Sequence, residues 1–332
     1  VASPAGPPDG AQLARRLRDG DLGAAPAVLN LVENRSVAAA PAIADLLRGV
    51  SPAALDGEAP GHVVGITGPP GAGKSTLLSQ LVRTWRARDR SVAVLAVDPS
   101  SRRSGGSLLG DRARIAFDPH DRATFIRSTA AGDRLGGLAP ATRAAAHALA
   151  AAFDVVVIET VGVGQSETEI SEVADTVAVI VQPGSGDALQ FLKSGIMEIP
   201  DVLVVTKADL GTIALRARRD LSAALRSAGS RDTKVVAVSS VATPPIGMDE
   251  LVDALDAHRA TLDLPARRLA SRRASALADF IVEHGEHGLR ALGGRREAGR
   301  LLAAQAPGAD IPALVAALGA HAGGVDAPDF SA

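Results

Sequence analysis

This 332-residue chain predicts an α/β fold, a mostly parallel sheet with helices on both faces, flanked by N- and C-terminal helical extensions. Three observations carry that expectation. Short Val/Ile-rich runs alternate with helical segments through the middle of the chain, and continuous apolar runs of strand length mark strands covered on both faces. A glycine-rich turn joins the first such run directly to a helix, through Gly68, Pro69, Pro70, Gly71, Ala72, Gly73, Lys74, Ser75 and Thr76. Outside residues 61–263 only helical periodicity is left.

The elements follow in order. Residues 1–10, rich in Pro, Ala and Gly, read as a disordered leader without a signal peptide's apolar core. Residues 11–60 read as a helical extension. Leu13 and Leu17, then Val28 to Val32, then Ile43 with Leu46 and Leu47 recur at helical spacing, and Gly20 and Pro41 divide them into two or three helices. The stretch 51–61, with Pro52, Gly57 and Pro60, reads as a linker. In the central domain, 61–263, strands are expected at 63–66, 92–97, 124–126, 155–158, 176–181, 202–205 and 235–238, with helices such as 75–87 and 141–152 between them. In the C-terminal region, 264–332, an Arg-rich helix is expected over 267–292. Gly293 and Gly294 break it, and 300–318 supplies one or two more helices.

Composition removes several functions. Net charge is −2, which gives no general attraction to nucleic acid or to an anionic membrane. No tyrosine, one tryptophan and six phenylalanines are too few for base-stacking platforms. The lack of cysteine rules out disulfides and thiolate metal sites and fits a cytoplasmic location. No apolar run approaches the ~18 residues of a membrane span.

The turn has the form G-x-x-x-x-G-K-S, between a buried-strand pattern and a helix. In that context backbone N–H groups cradle phosphates, Lys74 reaches the β- and γ-phosphates, and Ser75 ligates Mg²⁺. A nucleoside triphosphate is therefore the expected ligand. Three strand ends supply the other parts of such a site. Asp98 ends the second run, as a metal-side carboxylate or a turn cap. Glu159-Thr160-Val161-Gly162 has the form of D-x-x-G with Glu for Asp, which puts Glu159 toward Mg²⁺ and the Gly162 N–H toward the γ-phosphate. Thr206-Lys207-Ala208-Asp209 resembles the guanine reader N-K-x-D, in which the Asp accepts from guanine N1 and N2. Thr206 stands where Asn is usual, so one contact to the base or phosphate loop is expected to weaken. Ser239, Ser240 and Val241 follow the last strand as a backbone donor to guanine O6.

These parts, in this order, resemble a guanine-nucleotide-binding P-loop fold. Three longer segments narrow the resemblance: DPSSRRSGGSLLGDRAR at 98–114, ETVGVGQSE at 159–167 and PGSGDALQFLKSGI at 183–196. They are similar to the MeaB/ArgK family, G-protein chaperones of adenosylcobalamin-dependent acyl-CoA mutases such as methylmalonyl-CoA mutase. The similarity runs from about residue 11 to 259, including Leu31-Val32-Glu33-Asn34. The resemblance implies a GTPase with GTP/GDP and Mg²⁺ as ligands and such a mutase as partner. Asp98, Asp111 and Glu159 would surround the metal in a first switch over 98–114, with 162–167, including Gln165, as the second switch. Asp187, Gln190 and Lys193 would lie in a third that relays nucleotide state to the mutase. Arg114 reads either as a transition-state cation or as an ordinary solvated arginine. In Ras-like enzymes a water-positioning glutamine directly follows the glycine. Here Val163 takes that place, so unaided hydrolysis is expected to be slow. In relatives the C-terminal region helps form a dimer, which implies a homodimer.

Two other classes are weighed. A metallochaperone GTPase of the nickel-insertion type needs a Cys/His delivery cluster, which this sequence does not display. An amino-acid transport-associated kinase needs an acceptor site, and no second constellation suggests one. His284 and His287 read as a solvated helix end rather than a metal pair. Arg267, Arg268, Arg272 and Arg273 read as a solvated or dimer-facing surface, and Trp85 as packing.

Overall fold

A computed structural model describes residues 9–98, 115–130, 138–160, 165–184, 200–230 and 232–323, with backbone alone for Asp98 and 165–168. It opens with α1 (Gly10–Arg18), α2 (Ala25–Val32), α3 (Ala40–Gly49) and the single turn α4 (Pro52–Leu55). The Asp9 carboxylate accepts from the Gln12 N–H at 3.2 Å and caps α1. The first helix thus starts inside the stretch that composition assigns to the leader. Pro26, Pro41 and Pro52 sit in the first turns of the next three helices, where a missing N–H costs nothing. For that reason Pro52, read as a linker signal, starts a helix instead.

Seven strands follow: β1 (His62–Thr67), β2 (Val92–Asp98), β3 (Thr124–Ala130), β4 (Val155–Glu159), β5 (Thr176–Val181), β6 (Val202–Val205) and β7 (Lys234–Ala237). Each falls on a sequence-predicted run. They form one sheet in the order β3-β2-β4-β1-β5-β6-β7, and every neighbouring pair is parallel. Between and after them lie α5 (Lys74–Ala87), α6 (Pro140–Leu149), α7 (Gln165–Val173), α8 (Thr212–Ser227), α9 (Met248–Thr261), α10 (Leu264–Ala291), α11 (Arg295–Ala303) and α12 (Ile311–Gly323).

Successive strand residues feed opposite faces. On one face Val64, Ile66, Val94 and Val157 pack with Leu77, Leu81 and Trp85 of α5 and Leu251 and Leu255 of α9. Trp85 is buried there as packing. On the other, Ala93, Leu95, Val156 and Ile158 pack with α6 and with Leu17, Leu29, Leu31 and Leu46 of the N-terminal helices. The N-terminal extension therefore covers a sheet face. The last helices carry a third cluster of their own, built on Phe280, Leu289, Leu302, Leu314 and Leu318. The expected continuous helix over 267–292 is interrupted at Gly285, whose φ of 64° and ψ of −169° leave the helical region.

The arginine cluster of α10 corrects the sequence expectation of a solvated or dimer-facing surface. Two of its members point inward, and Arg267 and Arg273 are half-buried. Arg268 and Arg272 are buried. Arg268 donates to Asp175 at 3.0 and 2.7 Å and to the carbonyls of Ala59 and Gly61. Arg272 donates to Glu58 at 2.7 Å and Pro307 O at 3.0 Å. Arg267 caps the end of α7 through Ser171 O at 2.8 Å and Ala174 O at 2.7 Å, and Arg273 donates to Ala303 O at 3.2 Å. The cluster fastens the C-terminal helices to the sheet domain. Beside the start of β1, a cavity of about 40 Å³ lined by Leu47, Val63, His147 and Arg272 leaves room for about one or two waters.

His62 begins β1, buried, with Nε2 bonded to Thr176 Oγ1 at 2.8 Å. Burial pushes its pKa from 6.5 down to about 4, partly opposed by Asp175. The unfolded chain takes up this proton near pH 6.5 and the folded chain only near 4. Its contribution to stability is therefore intact above pH 6.5 and is lost as pH falls toward 4. At pH 5 the expected loss is about 2 kcal/mol. Urea titrations at pH 7 and pH 5 check this, and His62→Gln should shrink the difference between them.

Candidate nucleotide site

The site is built where β1 runs into α5. Gly68 has φ of 149°, and a Cβ there would sit 2.4 Å from Ile180 O of β5, so only glycine lets the loop lie against the neighbouring strand. Gly73, at φ 91°, turns the chain into the first turn of α5. Helix-start N–H groups and the loop backbone together favour an anion. Lys74 is 7% exposed, and its Nζ donates to Gly68 O at 2.7 Å and Pro69 O at 3.1 Å. The loop itself therefore holds the ammonium.

Ser75 donates its hydroxyl to Glu159 Oε1 at 3.2 Å. Glu159 ends β4, paired in register with Ile66 of β1 and Ala96 of β2. Asp98, two residues past Ala96, lies on the same sheet edge. Ser75 and Glu159, two of the residues expected near Mg²⁺, thus lie side by side, and a hydroxyl with a carboxylate is the all-oxygen donor set that Mg²⁺ takes. Two hydroxyls at the same strand ends, Thr67 Oγ1 and Thr160 Oγ1, are buried and have no hydrogen-bond partner among the described residues. Such groups call for water or a ligand. The residues present therefore fit a hydrated cation and phosphates.

The residues expected to read the base lie at the neighbouring strand ends. Thr206 is buried, with its hydroxyl 2.9 Å from Ala72 O and 3.2 Å from Val181 O. Of the two contacts, to the base or to the phosphate loop, one of which was expected to weaken with Thr for Asn, the tie to the loop is present. Lys207 adopts a left-handed backbone, φ 56° and ψ 43°, and a tight turn follows over Ala208–Leu210. Asp209 is exposed, and its Oδ1 accepts from the Ser239 hydroxyl at 2.5 Å. Ser239 is in turn held by backbone bonds with Ile246 at 3.0 and 2.9 Å. Ser240 O accepts from Gln80 Nε2 at 3.2 Å, and Val241 is exposed.

Of the other sequence-predicted residues, Asp111, Arg114, Gly162, Asp187, Gln190 and Lys193 lie outside the described residues, and Asp98 and Gln165 are described by backbone alone. Two residues had been missed. Gln80 of α5 bridges the phosphate helix to the base loop. Ser79 donates to Ser75 O and accepts from the Ala116 N–H, both at 2.9 Å. No local motif marks either, since their partners are carbonyl and amide groups of other segments. Among the described residues no three His, Cys, Asp or Glu side chains group as for a metal ion. None of the described helices is long and apolar enough to cross a membrane.

Comparison with known proteins bears on this geometry. The family model for the methylmalonyl Co-A mutase-associated GTPase MeaB matches residues 25–287, beyond the residue 259 at which the motif resemblance stops. A Pyrococcus abyssi protein, named only provisionally as a GTPase, is 42% identical over 266 residues, covering 79% of this chain and 80% of its own. The mouse protein named methylmalonic aciduria type A homolog, mitochondrial, is 42% identical over 157 residues, 47% of this chain and 38% of its own. A solved structure titled LAO/AO transport system kinase aligns with a TM-score of 0.63 at 28% identity, over 91% of this chain and 90% of that one. A seven-stranded parallel sheet with a phosphate loop, and a match over most of its length, show that the chain belongs to the MeaB family of methylmalonyl-CoA mutase-associated GTPases.

Proposed function

We propose that this protein binds GTP with Mg²⁺, hydrolyses it to GDP and phosphate, and acts as a chaperone of an adenosylcobalamin-dependent acyl-CoA mutase. Nucleotide state would gate loading and protection of the mutase's cofactor. The observation that carries the reading is the meeting of Lys74, the Ser75–Glu159 pair and the Asp209–Ser239 pair at one sheet edge. The family description and the mouse relative's name support the mutase as partner.

In this reading Ser75 and Glu159, with Asp98 and Asp111, would hold Mg²⁺, which would supply charge neutralisation at the phosphates. Residues 68–76 cradle the phosphates, with Lys74 on their outer oxygens. Gly162 offers its N–H to the γ-phosphate, and Arg114 supplies a cation as charge shifts to the leaving group. Thr206, Lys207, Asp209 and Ser239 to Val241 hold guanine. Gln165, Asp187, Gln190 and Lys193 pass the nucleotide state to the mutase. Residues 11–60 and 264–332 flank a GTPase domain of 61–263, and the C-terminal region pairs two copies in the cytoplasm.

The test is single-turnover GTP hydrolysis with and without the cognate mutase. Slow turnover alone and a clear acceleration with the mutase are expected, since Val163 stands in the water-positioning place. A fast rate that the mutase leaves unchanged would reject the switch. Ser75→Ala should weaken Mg²⁺-dependent GTP binding by about 10-fold or more, the scale of a lost hydrogen bond to a charged partner. Titration at fixed nucleotide and varied Mg²⁺ checks it.

A further inference from the structure

We propose that Thr206 leaves N7 of guanine without a side-chain donor, so that this chain selects its base through the Watson–Crick edge alone. The inference rests on the guanine reading above and deepens it. A threonine hydroxyl carries one proton. Here its oxygen lies 2.9 Å from Ala72 O of the phosphate loop and 3.2 Å from Val181 O at the end of β5. Both neighbours are carbonyl oxygens, which only accept, so the single proton is committed to the backbone. The residue is 5% exposed, and its remaining branch is a methyl group. Nothing on this side chain is left to donate to a base.

An asparagine in the same place would behave differently. Its amide offers two N–H donors and a carbonyl acceptor, enough to keep a backbone tie and still address a base atom. Guanine presents N7 as an acceptor on its outer edge alone, and O6 as acceptor with N1–H and the N2 amino group as donors along its pairing edge. Asp209 and Ser239 are already paired at 2.5 Å, which holds the carboxylate for those two donors. Thr206 thus acts as a specificity-determining residue. It fastens the reader to the phosphate loop and gives up one atom of the base.

The experiment compares GDP, 7-deaza-GDP, inosine diphosphate and ADP by equilibrium titration of the full chain with Mg²⁺. GDP and 7-deaza-GDP should bind equally within about twofold, less than one neutral hydrogen bond is worth. Inosine diphosphate, which lacks the N2 amino group, should bind about 10–150-fold more weakly, the worth of a bond to a charged acceptor. Thr206→Asn should then create a preference for GDP over 7-deaza-GDP of about 2–12-fold, one neutral hydrogen bond. A tenfold preference for GDP over 7-deaza-GDP in the unaltered chain would overturn the inference, because some other donor would then read N7. That wild-type comparison stands even if the variant does not fold. Equal affinities for GDP and ADP would instead overturn the guanine reading itself and the inference with it.

Discussion

Arg268→Ala is expected to lower the free energy of unfolding by about 3–5 kcal/mol, the scale at which one partner of a buried ion pair is removed. Arg268 is 6% exposed and Asp175 1%. Burial alone would raise the Asp175 carboxyl, yet the hydrogen bonds and charge of Arg268, with the Val63 N–H at 2.9 Å, hold it below its ordinary 3.8. Its ionised form therefore stabilises the fold above pH 3.8, and that contribution is lost as pH falls through the lower folded value. Without Arg268 the opposite sign follows. Burial then dominates, the folded carboxyl holds its proton more tightly than the unfolded one, and the variant gains stability relative to wild type as pH falls. Urea titrations at pH 7 and pH 5 should accordingly show the gap between the two proteins narrowing on acidification. A gap that is constant with pH would mean that lost packing, and not an orphaned carboxylate, sets the cost. The alanine also strips donors from the carbonyls of Ala59 and Gly61, so the link from α10 to the start of β1 is cut at the same time.

The same cluster shows where reading residues in order stops being informative. Strands were legible because Val/Ile runs buried on both faces need no partner to be recognised; β1, β4, β5 and β6 are such runs, while β3, TFIRSTA, is mostly half-buried. Helix ends moved by a few residues, since Pro tolerated in a first turn looks the same as Pro in a linker. A run of arginines is ordinarily a solvated face. What turns it inward is Asp175, 93 residues away from Arg268, and Glu58, 214 away from Arg272, and no local pattern announces such partners. Thr206 followed the same rule. Its departure from Asn left open whether the base or the phosphate loop loses a contact, and only the fold brings Ala72, 134 residues earlier, 2.9 Å from the hydroxyl. Ser75, Glu159, Asp209 and Ser239 were singled out because each sits at a strand end or helix start, and a parallel sheet gathers its strand ends on one edge; the Ser75–Glu159 and Asp209–Ser239 hydrogen bonds themselves were not foreseen.

Asp209→Ala is expected to reduce the preference for GDP over ADP by about 10⁴-fold, because a site built to hydrogen-bond its ligand discriminates through groups left unpaired. Guanine turns two donors, N1–H and the N2 amino group, toward an accepting carboxylate. Adenine turns the lone pair of N1, so the carboxylate both loses its bonds and faces another acceptor. Removing it weakens GDP and relieves ADP. In the proposed reading the phosphates are held elsewhere, by Lys74 and the 68–76 loop, so ADP should bind the variant no more weakly than wild type, and that retained binding shows the variant is folded. Ser239→Ala tests the support beneath the reader. Its hydroxyl donates to Oδ1 at 2.5 Å, and losing it should cost GDP about 10-fold, within the range for a bond to a charged group, while the carboxylate remains. The order of the two effects matters as much as their size. If Ser239→Ala equalled Asp209→Ala, the hydroxyl would be the base contact and the carboxylate only its anchor. If neither changed the ratio of GDP to ADP affinity, guanine would be read outside the turn that follows β6.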